Sequence, residues 1–269
     1  MTWPDFRGKV ALVTGGTRGL GLACGLALGQ RGARVVLTNK WGSESEAAVH
    51  ARFLALGAPE PLILNADAAV DEDTHQVVAE IAERFGKLDF FINGVCVASR
   101  GGSLASLTKR GIAQSLGYST WPLLTHLEAM HARFGAPPAK IIALSSDGPD
   151  HHYPGYDYVA LSKAALESIT HKLAHDLRGE ARVFILRARQ VSTESFGAVF
   201  PQASQEILAQ AFAAFEISPE AVGDAAAALC SGYLDGLNGT TICIDKGATF
   251  YDNVLSAGPQ LLESLAHAR

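Results

Sequence analysis

Apolar blocks and apolar-periodic segments alternate from one end of the chain to the other. Blocks rich in Val, Ile and Leu fall at Val10–Val13, Arg34–Leu37, Pro61–Leu64, Leu88–Ile92, Lys140–Leu144, Arg182–Leu186 and Thr241–Ile244. Between them, apolar residues recur at helical spacing near 19–31, 44–56, 72–85, 110–133, 158–178 and 219–230. Strands that are apolar on both faces, each separated from the next by a helix, predict a parallel sheet covered on both sides. The fold class is therefore α/β, a doubly wound parallel sheet of Rossmann-like type. Ligands are expected beyond the C-terminal ends of its strands. No internal repeat, low-complexity stretch or interdomain linker interrupts the pattern, so residues 1–269 read as a single domain. The segment 191–218 is longer than a simple crossover and carries a helical pattern at Ser204–Phe215. An insertion of this size beside a strand end predicts a lid over the site. The closing segment 250–269 is expected on the body of the domain or on a partner subunit.

The first strand runs into Thr14-Gly15-Gly16-Thr17-Arg18-Gly19-Leu20-Gly21, and the first helical pattern follows at once. Glycines let a backbone approach phosphates closely, and a helix N-terminus offers unpaired N–H groups and partial positive charge. A strand, a tight glycine turn and a helix start together predict a pyrophosphate cradle formed by Gly15, Thr17, Arg18, Gly19, Leu20 and Gly21. The spacing is G-x-x-x-G-x-G rather than G-x-G-x-x-G.

Composition narrows the class. The chain has 269 residues, 48% of them hydrophobic, and a formal net charge of −5. Mild acidity argues against a general nucleic-acid or anionic-membrane binder. No apolar run reaches the length of a spanning helix, and the N-terminus lacks the pattern of a signal peptide. A cytoplasmic enzyme acting on a small molecule is the expectation. Cys24, Cys96, Cys230 and Cys243 lack C-x-x-C spacing and read as small buried apolar residues, so no metal site is expected. His171 and His175 have the i, i+4 spacing of some metal ligands but lack the H-E-x-x-H glutamate, which assigns them to a surface or an interface. His151 and His152 lie in the loop before Tyr156, at the expected substrate mouth.

The second strand ends in Thr38-Asn39-Lys40, with none of the acidic residues that commonly hold an adenosine ribose there. Arg18 and Lys40, together with Asn39, suit a 2′-phosphate, which favours NADPH over NADH. Asp67 is placed to accept from the adenine amino group or to serve as a helix N-cap. Asn93-Gly94 ends the fourth strand where the ribose would pass, or forms a plain strand-exit turn.

Ser145-Ser146 follows the fifth strand, and Tyr153, Tyr156, Tyr158 and Lys163 follow closely. With the glycine turn, these residues resemble the short-chain dehydrogenase/reductase superfamily over nearly the whole chain, from Lys9-Val10-Ala11-Leu12-Val13-Thr14-Gly15 to Gly239-Thr240-Thr241-Ile242-Cys243-Ile244-Asp245. Ser162-Lys163-Ala164-Ala165-Leu166-Glu167 and Thr193 also match, and the resemblance implies cofactor contacts at Val191 and Thr193. The family's usual tyrosine stands four residues before the lysine, and Val159 occupies that position here. Tyr156 lies seven before Lys163 and ten after Ser146, spacings similar to those of the enoyl-acyl-carrier-protein reductase branch. On a helix, positions four and seven before a residue share its face.

The resemblance implies a catalytic set of Ser146, Tyr156 and Lys163. Ser146 would orient a substrate oxygen and Tyr156 would supply a proton. Lys163 would hold the nicotinamide ribose and lower the phenol's pKa. Tyr153 and Tyr158 are the competing phenols. Ala188-Arg189, flanked by Arg187, stands where the family has Pro-Gly after the sixth strand. The two arginines are read as binding a substrate carboxylate or phosphate, as polarising a carbonyl, or as a structural ion pair with Glu194. The mid-helix asparagine of the family falls near Gln114 or Ser115. The expected activity is NADPH-dependent reduction of an enoyl or carbonyl group on a specialised substrate. The rivals are a nucleotide-binding sensor or scaffold without turnover, and a lyase or isomerase using the same pocket. The resemblance also implies a homodimer or homotetramer.

Overall fold

Seven parallel strands form one sheet in the order β3-β2-β1-β4-β5-β6-β7. The computed structural model describes residues 4–41, 44–101, 107–189, 191 and 215–250. The strands are β1 (Val10–Thr14), β2 (Arg34–Asn39), β3 (Leu62–Asn65), β4 (Phe90–Asn93), β5 (Lys140–Ser145), β6 (Arg182–Ala188) and β7 (Thr241–Ile244). The helices are α1 (Gly19–Gln30), α2 (Glu46–Ala55), α3 (Asp71–Phe85), α4 (Lys109–Ser119), α5 (Pro122–Phe134), α6 (Asp157–Asp176) and α7 (Pro219–Cys230).

Alternation along each strand divides the core between two faces. Ala11, Val13, Val35, Leu37, Ile142, Leu144, Phe184 and Leu186 point to the side covered by α1, α2 and α7. Val10, Leu12, Val36, Phe91, Ile141, Ala143 and Val183 point to the side covered by α3, α5 and α6. Since both faces are buried, the strands read as continuous apolar runs rather than as an alternating pattern.

Helix boundaries follow local chemistry. Ser45 and Ser218 accept from Ala48 N and Ala221 N at the starts of α2 and α7. Gly86 and Gly135 close α3 and α5 in the left-handed conformation. The single helix expected over 110–133 is two. Pro122 has no N–H to donate one turn back, so α4 stops at Ser119 and α5 restarts with proline in its first turn.

The strand order reverses between β1 and β4, and this opens a crevice at their C-terminal ends. Thr14 and Asn93 are neighbours in register there, and Thr14 Oγ1 donates to Asn93 Oδ1 at 3.2 Å. The β2–β3 side of the crevice holds Lys40 and Asp67. The β5–β6 side holds Ser146, Tyr153 and Tyr156.

Candidate active site

At the β1 end, crowding dictates the glycine turn. A Cβ on Gly21 would stand 2.3 Å from the carbonyl oxygen of Gly15, a separation no side chain tolerates. Gly15 has a φ of +63° and lies against Val95, where a Cβ would come within 3.0 Å of backbone. Gly19 is different. Its φ is +54°, yet a Cβ there would meet nothing within 4 Å, so it borders open space. Arg18 supplies no side-chain cap to α1, and the first turn has no acidic residue. The first-turn N–H groups and the positive dipole end are thus left for an anion. The turn fits a pyrophosphate.

Asn93 lies inside β4 rather than in an exit turn, and it is 1% exposed. Its Nδ2 has no hydrogen-bond partner among the described residues, while Gly94 N donates to Thr14 Oγ1 at 3.2 Å. A buried donor is thus available beside the crevice, as a bound nucleotide requires. Asp67 is not a helix N-cap; Val70 occupies that position in α3. Asp67 instead accepts from Ala69 N at 3.0 Å and from the Tyr118 hydroxyl at 3.3 Å. Lys40 is exposed at the exit of β2, Asn39 and Arg18 are half-buried, and Thr17 is buried.

At the β5 end, the three phenols separate. Tyr158 is turned away from the crevice, and its oxygen accepts from Thr108 N at 2.9 Å beside α4. Tyr153 donates to Asp147 Oδ2. Ser146 lies close enough to the Tyr156 phenol to act on its pKa, and the Tyr156 ring meets the Tyr153 ring edge-on at 6.0 Å. Ser146 and Tyr156 are therefore brought together, as their spacing suggests.

Tyr156 and Lys163 do not share one helix face. Tyr156 is the N-cap of α6, one residue outside the helix, with φ −93° and ψ 4°. Val159, in the usual tyrosine position, is 3% exposed and contributes to the core. Lys163 is buried, and its Nζ donates to the carbonyl oxygen of Leu144 at 2.8 Å. Burial pushes the Tyr156 phenol well above its ordinary value, with the Ser146 bond pulling the other way. The expected lowering by Lys163 does not appear, and desolvation of the phenolate sets the direction of the shift. Burial and the Asp147 bond likewise raise Tyr153.

The arginines correct the expectation of a substrate anchor. Arg187 is committed to carboxylates of its own chain. Its Nε donates to Glu167 Oε1 at 2.6 Å, its Nη2 reaches Glu167 Oε2, and its Nη1 donates to Asp150. Glu167 also accepts from Ser145 Oγ at 2.6 Å. These carboxylates raise the guanidinium's pKa, with Glu167 the larger contributor. Arg187 therefore ties β6 to α6 through Glu167, to which Ser145 also joins the end of β5. Arg189 Nε lies 2.9 Å from Asp147 Oδ2, off the line of its N–H, so this contact is electrostatic rather than a hydrogen bond. Its Nη1 reaches Thr249 Oγ1 at 3.3 Å. The expected partner Glu194 and the cofactor contact Thr193 lie outside the described residues, as does all of the expected Ser204–Phe215 helix except Phe215. Val191 is described and buried.

Other expectations change as well. Of the two residues expected near the family's mid-helix asparagine, Ser115 donates to the Tyr158 carbonyl at 2.8 Å and Gln114 is exposed. Cys24 and Cys230 are buried, but Cys96 is half-buried and Cys243 exposed. His171 is bound to the Gly239 carbonyl at 2.9 Å. His151 Nδ1 lies 3.2 Å from the Asp147 carbonyl oxygen, and His152 is exposed. Among the described residues, no group of three or more His, Cys, Asp or Glu side chains is placed to hold a metal. None of the described helices is long and apolar enough to cross a membrane. Sequence reasoning passed over Asp147, Glu167, Trp41 and Tyr118. Asp147 and Glu167 carried a signal in hindsight, next to Ser146 and one helical turn beyond Lys163.

A glycine turn at a sheet switch point, with a serine, a tyrosine and a lysine gathered at the ends of β5 and α6, defines a nicotinamide-dinucleotide oxidoreductase of the short-chain type. Residues 15–249 match the family model described as Enoyl-(Acyl carrier protein) reductase. The chain is 26% identical over 252 residues to an enoyl-[acyl-carrier-protein] reductase [NADH] of Aquifex aeolicus, covering 89% of this chain and 91% of that protein. It is 31% identical over 255 residues to an uncharacterized oxidoreductase of Mycobacterium tuberculosis, covering 90% and 92%. Among solved structures, it resembles a short chain dehydrogenase from Burkholderia cenocepacia in complex with NADP at 28% identity and a TM-score of 0.80, covering 91% and 99%. The protein belongs to the enoyl-acyl-carrier-protein-reductase-like branch of the short-chain dehydrogenase/reductases.

Proposed function

We propose that this oxidoreductase is an NADPH-dependent reductase acting on an enoyl group conjugated to a carbonyl, on a specialised substrate. The observation that carries the reading is the pairing of Tyr156 with Ser146, while Val159 is buried in the usual tyrosine position and Tyr158 faces α4. When bound, the nicotinamide supplies hydride to the β carbon of the substrate. Tyr156 and Ser146 hold the carbonyl oxygen, and the phenol donates to it as enolate character develops. A phenol with a raised pKa stays protonated at neutral pH, so it serves as a hydrogen-bond donor rather than as a base. Lys163, anchored on Leu144, is the residue that the resemblance assigns to the ribose hydroxyls. The absence of a carboxylate at Asn39-Lys40 supports NADPH, although the name of the Aquifex relative specifies NADH.

Nicotinamide absorbance, followed over a panel of enoyl thioesters, enones and ketones, tests the reading. Turnover with an enoyl thioester is expected, with Tyr156→Phe slowing it about 10²–10⁴-fold and leaving the cofactor Kd unchanged. NADPH binding without turnover on any member favours the sensor. Product formation without absorbance change favours a lyase or isomerase. Tighter binding of NADH than of NADPH would refute the cofactor assignment.

A further inference from the structure

We propose that Trp41, backed by Tyr118, is the surface on which the adenine ring of the dinucleotide stacks; this deepens the nucleotide-binding reading and rests on it. Trp41, two residues beyond the end of β2, leaves 59% of its surface to solvent. An indole at the ligand-binding edge of a doubly wound sheet is a costly exposure of apolar area unless something covers it. The indole meets the Tyr118 ring, with centroids 5.4 Å apart and planes tilted by 57°. The Tyr118 hydroxyl in turn donates to Asp67 Oδ2 at 3.3 Å.

Three separate elements therefore meet in one corner: the exit of β2, the turn after β3 and the last turn of α4. Asp67 is held firmly within it, since its own N donates to Asp73 Oδ2 at 2.7 Å and its Oδ1 accepts from Ala69 N. The corner lies one and two strands outward from β1, on the side opposite the phenols. At about 4.8 Å per strand, this is the span a nucleoside covers when its phosphate rests on α1. A dinucleotide with its nicotinamide near Tyr156 sends its adenosine half this way.

Stacking on an aromatic face is indifferent to what the ribose carries. Trp41 thus sets how tightly either dinucleotide binds, and the adjacent Lys40 reads the 2′-phosphate. The two neighbours divide affinity from selectivity.

The test uses the full chain, its three tryptophans (Trp3, Trp41, Trp121) and AMP as the probe. AMP is expected to quench intrinsic fluorescence in the unsubstituted protein and in Trp121→Phe, and to leave it unchanged in Trp41→Phe. By calorimetry, Trp41→Ala should weaken AMP, NADH and NADPH by one common factor, about 5- to 100-fold, with Trp41→Phe keeping most of the affinity. Affinities for Trp41→Ala within about twofold of the unsubstituted protein, with normal binding by the latter, overturn the proposal alone. Weakening confined to NADPH also overturns it, because the indole would then serve the phosphate. An unsubstituted protein that binds neither NADH nor NADPH sinks the nucleotide reading and this proposal together.

Discussion

The two ends of the crevice are built on different physical terms. At the β1 end the ligand surface is backbone: Gly21 fits because a Cβ would strike the Gly15 carbonyl, and the uncapped start of α1 presents amides. At the β5 end it is a web of side chains from β5, α6 and β6, in which Ser145, Glu167 and Arg187 lock one another beneath Ser146. A backbone site tolerates little substitution yet is written within eight consecutive residues. A side-chain site is assembled from positions 20 and 22 residues apart. Chemistry can diverge at the second end while the first keeps its nucleotide.

The comparison is sharpest under loss of Glu167. Glu167→Ala strands the Arg187 guanidinium and the Ser145 hydroxyl, both substantially buried, and should destabilise the protein by about 3–5 kcal/mol in denaturant unfolding. NADPH affinity measured below the unfolding transition should stay near that of the unsubstituted protein. A parallel loss of affinity would show that the two ends are coupled.

Gly21→Ala is the converse. Forcing a Cβ onto the Gly15 carbonyl should cost about 1–3 kcal/mol and abolish measurable dinucleotide binding, because the turn must open. Gly19→Ala has room for its Cβ and pays only left-handed strain of about 1 kcal/mol, so it should fold and bind, more weakly. Equal binding by the two variants would break the backbone argument.

The smallest effect belongs to Lys40, which is exposed. Lys40→Ser should lower the preference for NADPH over NADH by a few-fold, at about 1 kcal/mol or less for a screened surface charge. Raising ionic strength should shrink the same preference in the unsubstituted protein. Indifference to both would leave the 2′-phosphate to Arg18.

What was readable in the chain followed the range of the interactions. The seven strands, the glycine turn and the proximity of Ser146 to Tyr156 came from patterns a few residues wide. The break at Pro122 was equally local but was hidden because apolar periodicity continues on both sides of it. Tyr156 was assigned to the helical face by spacing, yet the helix begins one residue later. Arg187 was read as a ligand-binding cation or as the partner of Glu194 in an ion pair. Its partners Glu167 and Asp150 become neighbours only once β6 pairs with β5 and α6 crosses them.

The order of apolar blocks and the glycine spacing thus determined by themselves that the chain would form a doubly wound sheet with a phosphate-sized turn at its first strand. Strand periodicity and backbone crowding are properties of contiguous residues, and they carry over directly into structure. Which phenol faces the crevice, which carboxylates occupy the arginines, and which aromatic rings stand over the exits of β2 and β3 were decided by the tertiary structure. Those choices depend on burial and on partners distant in sequence, and desolvation ranks one pairing above another only after packing has removed the water.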